Sequence, residues 1–258
     1  MYNIAITAGG TSENIDGVRK LTNVSTGSLG WNCVESVLNY FLSKDKANFH
    51  IHYVLTPTAF RGQLNDIQKK HVSFIEVTDA ESVYNAVNDL TKNINITHFI
   101  HSMAISDFTF SYAVSVDNLA EEIAAYVNNG GDVSKEKLQE LLTLPHSRNE
   151  EGAKISSSKP LIIGLKTTKK VISLIKENNK NTVLVGFKLL RNVGEDTLME
   201  VSKKLTEKNE CDFVFANELS QISGNEHTGI LIADGIIVAR PKGKRQIADA
   251  IVASMINN

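Results

Sequence analysis

Near the start of the chain, in Asn3-Ile4-Ala5-Ile6-Thr7-Ala8-Gly9-Gly10-Thr11-Ser12, an apolar run passes directly into a segment rich in Gly, Thr and Ser. A second cluster, Asn23-Val24-Ser25-Thr26-Gly27-Ser28-Leu29-Gly30, stands just before a helical pattern. Glycine lets the backbone approach an anion closely, and the N–H groups at a helix start favour negative charge. The two clusters therefore predict a strand, a phosphate-binding loop and a helix start.

The spacing of the glycines differs from the common phosphate-binding templates. The chain has no G-x-x-x-x-G-K-[ST], and no G-x-G-x-x-G follows the first apolar run. Roughly twenty residues separate this run from the helical pattern, whereas a βα loop usually has ~2–6. We interpret the intervening segment, with Glu13-Asn14-Ile15-Asp16 and Arg19-Lys20, as a functional loop; an ordinary surface loop is the alternative.

Apolar, β-branched runs alternate with helical periods along most of the chain. Predicted strands are Asn3–Thr7, Phe49–Thr56, Val72–Val77, Thr97–Met103, Thr182–Leu189 and Asp212–Asn217, and predicted helices are Leu29–Leu42, Ala80–Lys92, Thr167–Asn178 and Glu195–Lys208. Such alternation predicts an α/β fold with a Rossmann-like, mostly parallel sheet and helices on both faces. Asp234-Gly235 between two apolar runs predicts a C-terminal β-hairpin, followed by a helix over Lys244–Met255.

One region departs from the alternation. We predict a single nucleotide-binding α/β domain over residues 1–258, with a polar excursion at about 108–153 that holds helical stretches at Asn118–Asn128 and Ser134–Leu144. We interpret the excursion as a flap or dimerisation arm, and a disordered insertion is the alternative.

Composition narrows the class of protein. A net charge of −2 over 258 residues, with 42% hydrophobic residues, is typical of a globular protein and indicates neither a nucleic-acid nor a membrane partner. The lack of a long apolar stretch or a signal pattern, and only two cysteines (Cys33 and Cys211), predict a cytoplasmic protein with reduced thiols. His50 and His52 have no third ligand nearby, so no metal site is predicted, and no nucleophile triad is visible.

Five segments, taken in order, resemble phosphopantothenoylcysteine synthetases of coenzyme A biosynthesis. The match spans nearly the whole chain, and the ordered set is more specific than any single motif. The segments are Thr7-Ala8-Gly9-Gly10-Thr11 with Ile15-Asp16 and Val18-Arg19; Asn23-Val24-Ser25-Thr26-Gly27; Ala104-Ile105-Ser106-Asp107; Lys154-Ile155; and Gly186-Phe187 with Lys204-Leu205, Lys208, Asp212 and Ala216-Asn217.

The resemblance implies a ligase that joins 4′-phosphopantothenate to L-cysteine through an acyl-nucleotide intermediate. It implies CTP as co-substrate, with ATP left open, accompanied by Mg²⁺, and a homodimer. By matching position, it implies catalytic roles for Asn23 and Lys154. The nucleotide-binding residues that it implies are Gly9, Gly10, Ser25, Thr26, Gly27, Ala104, Asp107, Phe187, Lys204 and Lys208.

Two other classes of protein remain as alternatives. An NAD(P)-dependent Rossmann oxidoreductase would have the same strand, glycine loop and parallel sheet, but the glycine spacing differs and no Tyr-x-x-x-Lys stands in the middle of the chain. A non-catalytic nucleotide-binding protein is the second alternative, because the chain departs from the family pattern at Gly17, at Ser28 and after Lys154-Ile155.

Overall fold

The computed structural model describes residues 1–44, 48–149, 159–223 and 226–257. The chain divides into two compact units. The first, which we call the sheet unit, comprises Met1–Thr11, Asn23–Ile105 and Lys170–Asn258, and the second, the ribbon unit, comprises Ser12–Thr22 and Ser106–Lys169. A single domain over 1–258 stays a prediction.

The elements follow one another in an order close to that expected from the sequence. The strands are β1 (Tyr2–Ala8), β2 (Ser12–Asn14), β3 (Lys20–Thr22), β4 (Phe49–Leu55), β5 (Val72–Glu76), β6 (His98–His101), β7 (Phe108–Ser115), β8 (Leu161–Thr167), β9 (Val183–Leu190), β10 (Phe213–Glu218), β11 (Ile222–Ser223), β12 (Glu226–His227), β13 (Ile230–Ala233) and β14 (Ile236–Ala239). The helices are α1 (Ser28–Leu42), α2 (Asp66–Lys69), α3 (Ala80–Asn93), α4 (Val116–Asn128), α5 (Lys135–Thr143), α6 (Val171–Asn178), α7 (Glu195–Asn209) and α8 (Lys244–Ile256), with a 3₁₀ turn at Leu219–Gln221.

The sheet unit is built on an eight-stranded sheet in the order β14-β13-β10-β9-β6-β1-β4-β5. The strands from β10 to β5 in this order run parallel, and β13 and β14 add an antiparallel hairpin at one edge. The hairpin turns at Asp234 and Gly235, both with positive φ, as a tight β-turn of this kind requires. The mostly parallel sheet and the C-terminal hairpin are therefore confirmed.

Apolar side chains cover both faces of this sheet. Because successive strand residues point to opposite faces, Ile4 packs with residues of α1 and α8, whereas its neighbour Ala5 packs with residues of α3 and α6. Ile4 and Ala5 are both fully buried. Helices on both faces, which the continuously apolar strands predicted, are confirmed.

The ribbon unit contains β-structure that the sequence prediction missed. Strand β7, at the start of the predicted excursion, pairs antiparallel with β8, which lies beyond the predicted end at about 153, and the two predicted helices form as α4 and α5. The helix predicted over Thr167–Asn178 is wrong at its start, because Thr167 ends β8 and α6 begins at Val171. A Cβ on Gly164 of β8 would lie 2.1 Å from the ring of Tyr112, so the pairing of β7 with β8 needs glycine at this position. Glycine usually weakens the interior of a strand, so it gave no sign of β8 in the sequence.

The segment interpreted as a long functional loop is also partly a hairpin. Strands β2 and β3 pair antiparallel around a turn at Asp16. The Asp16 carboxylate accepts the backbone N–H groups of Val18 at 2.9 Å and Arg19 at 2.8 Å, and it pairs with the Arg19 guanidinium at 3.4 Å. Asp16 and Arg19, which we quoted as motif residues, therefore fix a turn within the ribbon unit.

Two further expectations concern the thiols and the membrane. Cys33 and Cys211 are unbonded and buried, and burial, with a nearby aspartate in each case, raises the pKa of both thiols to about 12. Both cysteines are therefore apolar packing residues at neutral pH. Among the helices of the described ranges, none combines the length and apolarity that a membrane span needs.

Candidate functional site

The predicted glycine loop lies at the carboxyl ends of three neighbouring parallel strands. Gly9 and Gly10 follow β1, Thr56 follows β4, and Ala104 comes three residues after the end of β6. Ligands of open α/β sheets bind outside this edge. The sheet therefore brings these four residues to the place where a ligand is expected.

Gly10, in the loop after β1, pairs with Ala104, in the chain after β6, at a point that we call the backbone crossing. They make an isolated parallel bridge, in which the N–H of Ala104 donates to the Gly9 carbonyl at 2.9 Å and the N–H of Thr11 donates to the Ala104 carbonyl at 3.1 Å. A Cβ on Gly10 would lie 2.0 Å from the backbone oxygen of Asn23. A side chain at position 10 would thus collide with backbone, so the site needs glycine there.

Asn23 is held at this crossing by its backbone and its side chain. Its N–H donates to the Thr11 carbonyl at 3.0 Å, and its side-chain amide nitrogen donates to the Ala104 carbonyl at 3.2 Å. The residue is half-buried. The structure therefore brings Asn23 together with Gly9, Gly10 and Ala104, as the predicted site requires.

The second glycine cluster forms the start of α1. Gly27 is the N-cap residue in a left-handed conformation with φ 67°, it makes no side-chain capping bond, and the first turn of α1 contains no acidic residue. The hydroxyls of Thr26 and Ser28 lie 2.9 Å apart, and the Ser25 hydroxyl accepts the Gly27 N–H at 3.4 Å. A positive helix end beside hydroxyl donors fits an anion such as a phosphate group.

Thr56 is a site residue that the sequence prediction missed. Its hydroxyl oxygen is buried and has no hydrogen-bond partner within the described part of the chain. A Cβ on Gly9 would lie 2.1 Å from this oxygen, so Thr56 occupies the space beside the Gly9 backbone. A polar residue directly after the apolar strand β4 was the signal in the sequence that pointed to this position.

A cluster of hydrogen bonds joins the end of β1 to the end of β6 and the residues that follow it. The Thr7 hydroxyl accepts the Met103 N–H at 3.3 Å and lies 3.1 Å from Nδ1 of His101, while the Ser102 hydroxyl donates to the Thr7 carbonyl at 2.7 Å. Burial lowers the pKa of His101 to about 4, so its ring is neutral at pH 7. These contacts tie the end of β1 to the chain that follows β6 and thereby fix Gly9 relative to Ala104.

The other residues predicted for the nucleotide lie further along the sheet unit. Phe187 on β9 is half-buried and its ring packs 5.7 Å from that of Phe215. Lys204 and Lys208 lie on α7, as expected, but Lys204 pairs with Glu200 at 2.6 Å. At ~1.5 Å per residue, the two lysines lie toward the C-terminal end of α7. A role for them at a nucleotide stays a prediction.

Two predicted residues belong to other parts of the chain. Asp107 directly precedes β7 in the ribbon unit, where its carbonyl accepts the Thr168 N–H at 3.1 Å. Lys154 and Ile155 lie outside the described residues. Across the ranges that are described, no group of three or more His, Cys, Asp and Glu side chains is placed to hold a metal ion.

The sheet and its glycine-lined strand ends define a Rossmann-like α/β protein. The family model for the DNA/pantothenate metabolism flavoprotein C-terminal domain matches residues 2–117 and 145–258, so the chain belongs to that family. Membership confirms the resemblance drawn from the sequence motifs.

The chain is similar to two curated proteins and to several solved structures. It is 25% identical to the coenzyme A biosynthesis bifunctional protein CoaBC of Thermococcus kodakarensis over 253 residues, and 27% identical to that of Methanocaldococcus jannaschii over 251. These alignments cover 96% of this chain and 49% of each relative, so the chain spans about half their length.

Among solved structures, the DNA/pantothenate metabolism flavoprotein of Streptococcus pneumoniae is 31% identical, with a TM-score of 0.79 over 100% of this chain and 99% of that one. A Cab2 mutant in complex with phosphopantothenate-cysteine is 15% identical, with a TM-score of 0.64 over 99% of this chain and 87% of that one. The second likeness concerns the fold alone.

Proposed function

We propose that this protein is a phosphopantothenate–cysteine ligase of coenzyme A biosynthesis. The observation that carries the proposal is the crossing of Gly10, Ala104 and Asn23 beside the start of α1, where the N-cap residue is Gly27, in a chain that its family model matches over 2–117 and 145–258. The crossing supplies a fixed amide, and the helix start supplies an anion site. The names of the CoaBC relatives and of the Cab2 complex agree with this activity.

The reaction takes place in two steps. A carboxylate oxygen of 4′-phosphopantothenate attacks the α-phosphorus of the nucleotide, a new P–O bond forms, and pyrophosphate leaves. The amine of cysteine then attacks the acyl carbon, loses a proton, and expels the nucleotide monophosphate as the C–N bond forms. Negative charge develops on phosphate oxygens in the first step and on the acyl oxygen in the second, and one fixed donor stabilises such charge by ~2.7–4 kcal/mol.

The residues of the sheet unit are suited to both steps. We assign Gly9, Gly10 and the Ser25-Thr26-Gly27 run to the phosphate groups, because these residues place N–H groups and hydroxyls at the start of α1. We assign Asn23 to the acyl oxygen in the second step, because its side-chain amide is neutral and fixed. No protein nucleophile is required.

The remaining roles rest on the resemblance. Lys154 supplies the cation of the first step, and Ala104, Asp107 and Phe187 contact the nucleotide. Lys204 and Lys208 are assigned to the triphosphate or ribose. These assignments stay proposals.

The co-substrates follow from the same reaction. We propose CTP as the nucleotide, with ATP as the alternative, and Mg²⁺ bound mainly through phosphate oxygens, because Mg²⁺ commonly needs only one or two protein carboxylates beside them. We propose the cytoplasm as the location, where reduced thiols such as Cys33 and Cys211 persist.

We also propose a homodimer formed through the ribbon unit. Several large apolar side chains on its paired strands are exposed, among them Phe108, Ile163 and Leu165 at 49%, 43% and 45%. Contiguous exposed apolar surface of this kind commonly marks an interface. A second copy of the chain is the partner that the resemblance implies.

The test is an assay of pyrophosphate release with the purified protein, Mg²⁺, and CTP or ATP. We expect release only when 4′-phosphopantothenate is also present, and a product with the mass of the cysteine conjugate when cysteine is added. An absorbance change with NAD(P)H instead would favour the oxidoreductase, and nucleotide binding without pyrophosphate release would favour the non-catalytic alternative.

A further inference from the structure

Asn217 lies at the carboxyl edge of the sheet, where the parallel strands end. It is the penultimate residue of β10 and pairs in register with Leu189 of β9, which is 49% exposed. Two residues earlier, Phe215 pairs with Phe187. Because side chains alternate along a strand, Asn217 lies on the same face as Phe215, which packs with residues of α1 and α8. Phe187, the ring assigned to the nucleotide, therefore lies next to Asn217 on this face.

The side-chain amide of Asn217 is bound to one histidine ring. Its Nδ2 lies 2.9 Å from Nε2 of His227, and both residues are buried. Burial, together with the charge of Lys244, lowers the pKa of His227, so the ring is neutral at pH 7. An amide nitrogen can only donate, so Nε2 accepts and the ring proton is on Nδ1.

The pair of Asn217 and His227 is not explained by stability alone. Nδ1 of His227 is buried and has no hydrogen-bond partner in the described part of the chain. A buried donor without a partner costs free energy, and an exception of this kind in a native protein commonly accompanies a function. The pair therefore points to a role for the amide that it fixes.

The oxygen of the same amide is left for another partner. Within the described residues, no hydrogen bond to Oδ1 of Asn217 is found. The residue keeps 6% of its surface exposed, at the edge where ligands of open α/β sheets bind. With Nδ2 bound to His227, the amide cannot turn over, so it offers a ligand an acceptor and not a donor.

We infer that Asn217, oriented by His227, selects a nucleotide whose base carries an exocyclic amino group. The inference rests on the proposed function, in which Phe187 contacts the nucleotide. A base that packs on the Phe187 ring brings its edge beside Asn217. Cytosine and adenine present an amino donor at N4 and N6, whereas a uracil-type base presents the acceptor O4. Oδ1 accepts the amino group but opposes O4 as a second acceptor, so His227 is a positioning residue for this choice.

The experiment compares CTP with UTP, whose bases differ at N3 and at the group on C4. The value of kcat/KM is measured as pyrophosphate release from the full chain with 4′-phosphopantothenate and Mg²⁺. For the wild-type protein we expect CTP to exceed UTP by about tenfold or more, because a site that hydrogen-bonds a donor rejects an analogue without it. Asn217→Ala should lower this CTP:UTP ratio by about tenfold, chiefly through a loss with CTP.

Two substitutions of His227 separate the orientation of the amide from packing. The Gln side chain has an oxygen that can accept the Asn217 amide in place of Nε2, whereas Leu has none. His227→Leu should lower the CTP:UTP ratio by about tenfold, with kcat/KM falling for CTP and rising for UTP, because the freed amide can turn its nitrogen toward O4. His227→Gln should keep the ratio within about threefold of wild type. A mere loss of stability would move both nucleotides in the same direction.

Asn178→Ala is the matched control. Asn178 is a half-buried asparagine at the end of α6, and its amide nitrogen donates to the Thr91 hydroxyl at 2.9 Å. This variant loses an amide hydrogen bond of the same kind and should leave the CTP:UTP ratio unchanged. Nitrogen NMR of the histidine rings reports the tautomer independently of activity. We expect the signals of a ring protonated at Nδ1, and these signals should be lost in His227→Gln.

The outcomes distinguish the inference from the proposed function. An unchanged ratio in Asn217→Ala, equal ratios for the Leu and Gln variants at His227, or a His227 ring protonated at Nε2 would overturn the inference alone. A wild-type protein that uses UTP as well as CTP would do the same. A wild-type protein that releases no pyrophosphate with CTP, ATP or UTP would overturn the proposed function and the inference with it.

Discussion

The side-chain amide of Asn23 donates to the backbone carbonyl of Ala104 at 3.2 Å, and the same carbonyl accepts the Thr11 N–H at 3.1 Å. One oxygen thus joins the loop after β1 to the chain after β6 and orients the Asn23 amide. An amide that is already oriented needs no rearrangement when charge develops near it. The backbone crossing and the proposed catalytic side chain are therefore one structural unit.

Substitution of Asn23 and Lys154 should separate the two half-reactions. Asn23→Asp replaces the donor facing the Ala104 carbonyl with a second acceptor, so we expect acyl-nucleotide to form while its transfer to cysteine slows by about tenfold or more. Lys154→Gln should instead prevent the acyl-nucleotide from forming. Quenched single turnovers analysed by mass spectrometry measure both steps, and wild-type rates for both variants would refute these assignments.

Gly10→Ala should destabilise the sheet unit and its site together. The new Cβ would lie 2.0 Å from the Asn23 backbone oxygen, so the crossing has to open, at a cost of about 1–3 kcal/mol in the free energy of unfolding. Gly17→Ala is the control, because a Cβ on Gly17 meets nothing within 4 Å and should change stability by less than about 0.5 kcal/mol. Urea unfolding gives both values, and equal effects would contradict the prediction.

Ile163→Glu should weaken the proposed dimer. Ile163 is exposed on β8 of the ribbon unit, and a carboxylate there would be buried without a partner in an apolar interface. Ile236→Glu, on the exposed edge strand β14 of the sheet unit, is the matched control and should leave association unchanged. Sedimentation velocity at micromolar concentration measures the association of both variants and of the wild-type protein. A wild-type protein that is monomeric at that concentration would contradict the dimer itself.

Lys176→Ala should reduce stability more than Lys180→Ala. Lys176 pairs at 2.8 Å with Asp212 and its side chain is only 10% exposed, so its removal leaves the half-buried Asp212 carboxylate with the Leu184 N–H but without a cation, at a cost of about 2 kcal/mol. Lys180 pairs with Glu210 at the surface, where such a pair contributes about 0–1 kcal/mol. The midpoints of denaturant unfolding are measured for both variants. Equal midpoints would show that the half-buried ion pair contributes no more to stability than the exposed one.

Mild acid should destabilise the protein partly through His101. Because burial lowers its pKa to about 4 from an ordinary 6.5, the unfolded state binds a proton first. The contribution of the neutral His101 ring to the free energy of unfolding is complete above pH 6.5. It is lost as the pH falls toward 4, and the loss amounts to at most about 3 kcal/mol.

His101→Gln should therefore flatten the dependence of unfolding free energy on pH in that range. Part of the slope should remain, because burial, together with His50, lowers the pKa of His52 to about 4 as well. An unchanged slope in His101→Gln would show that the pKa of His101 is the same in the folded and unfolded states.

The central sheet could be predicted from the sequence because its strands are buried on both faces. Strands β1 and β10 contain the apolar runs Ile4-Ala5-Ile6 and Phe213-Val214-Phe215-Ala216, and an unbroken apolar run of this length is typical of a strand that is covered on both faces. The Asp234-Gly235 turn needs only local information. The clustering of Gly9, Asn23 and Ala104 was predicted through motif order, and the structure supplies the hydrogen bonds that explain it.

The ribbon unit could not be predicted in the same way. Its strand β8 has exposed apolar residues and a central glycine, so neither continuous burial nor simple alternation marks it. Its partner β7 is distant in sequence, so no local turn signal marks the pairing of the two strands. For Thr56, only the packing against Gly9 shows that its hydroxyl is buried beside the site.

The strand order has a consequence for how the chain folds during synthesis. Strand β6 ends at His101 and lies between β1 and β9, but β9 begins only at Val183. A growing chain therefore carries β6 with one edge unpaired while Ser106–Lys169, the larger part of the ribbon unit, emerges from the ribosome. An open edge of apolar, parallel sheet is a template for wrong pairing. The interval between His101 and Val183 is thus the period in which the nascent protein is most exposed to aggregation and in which a chaperone would protect it most.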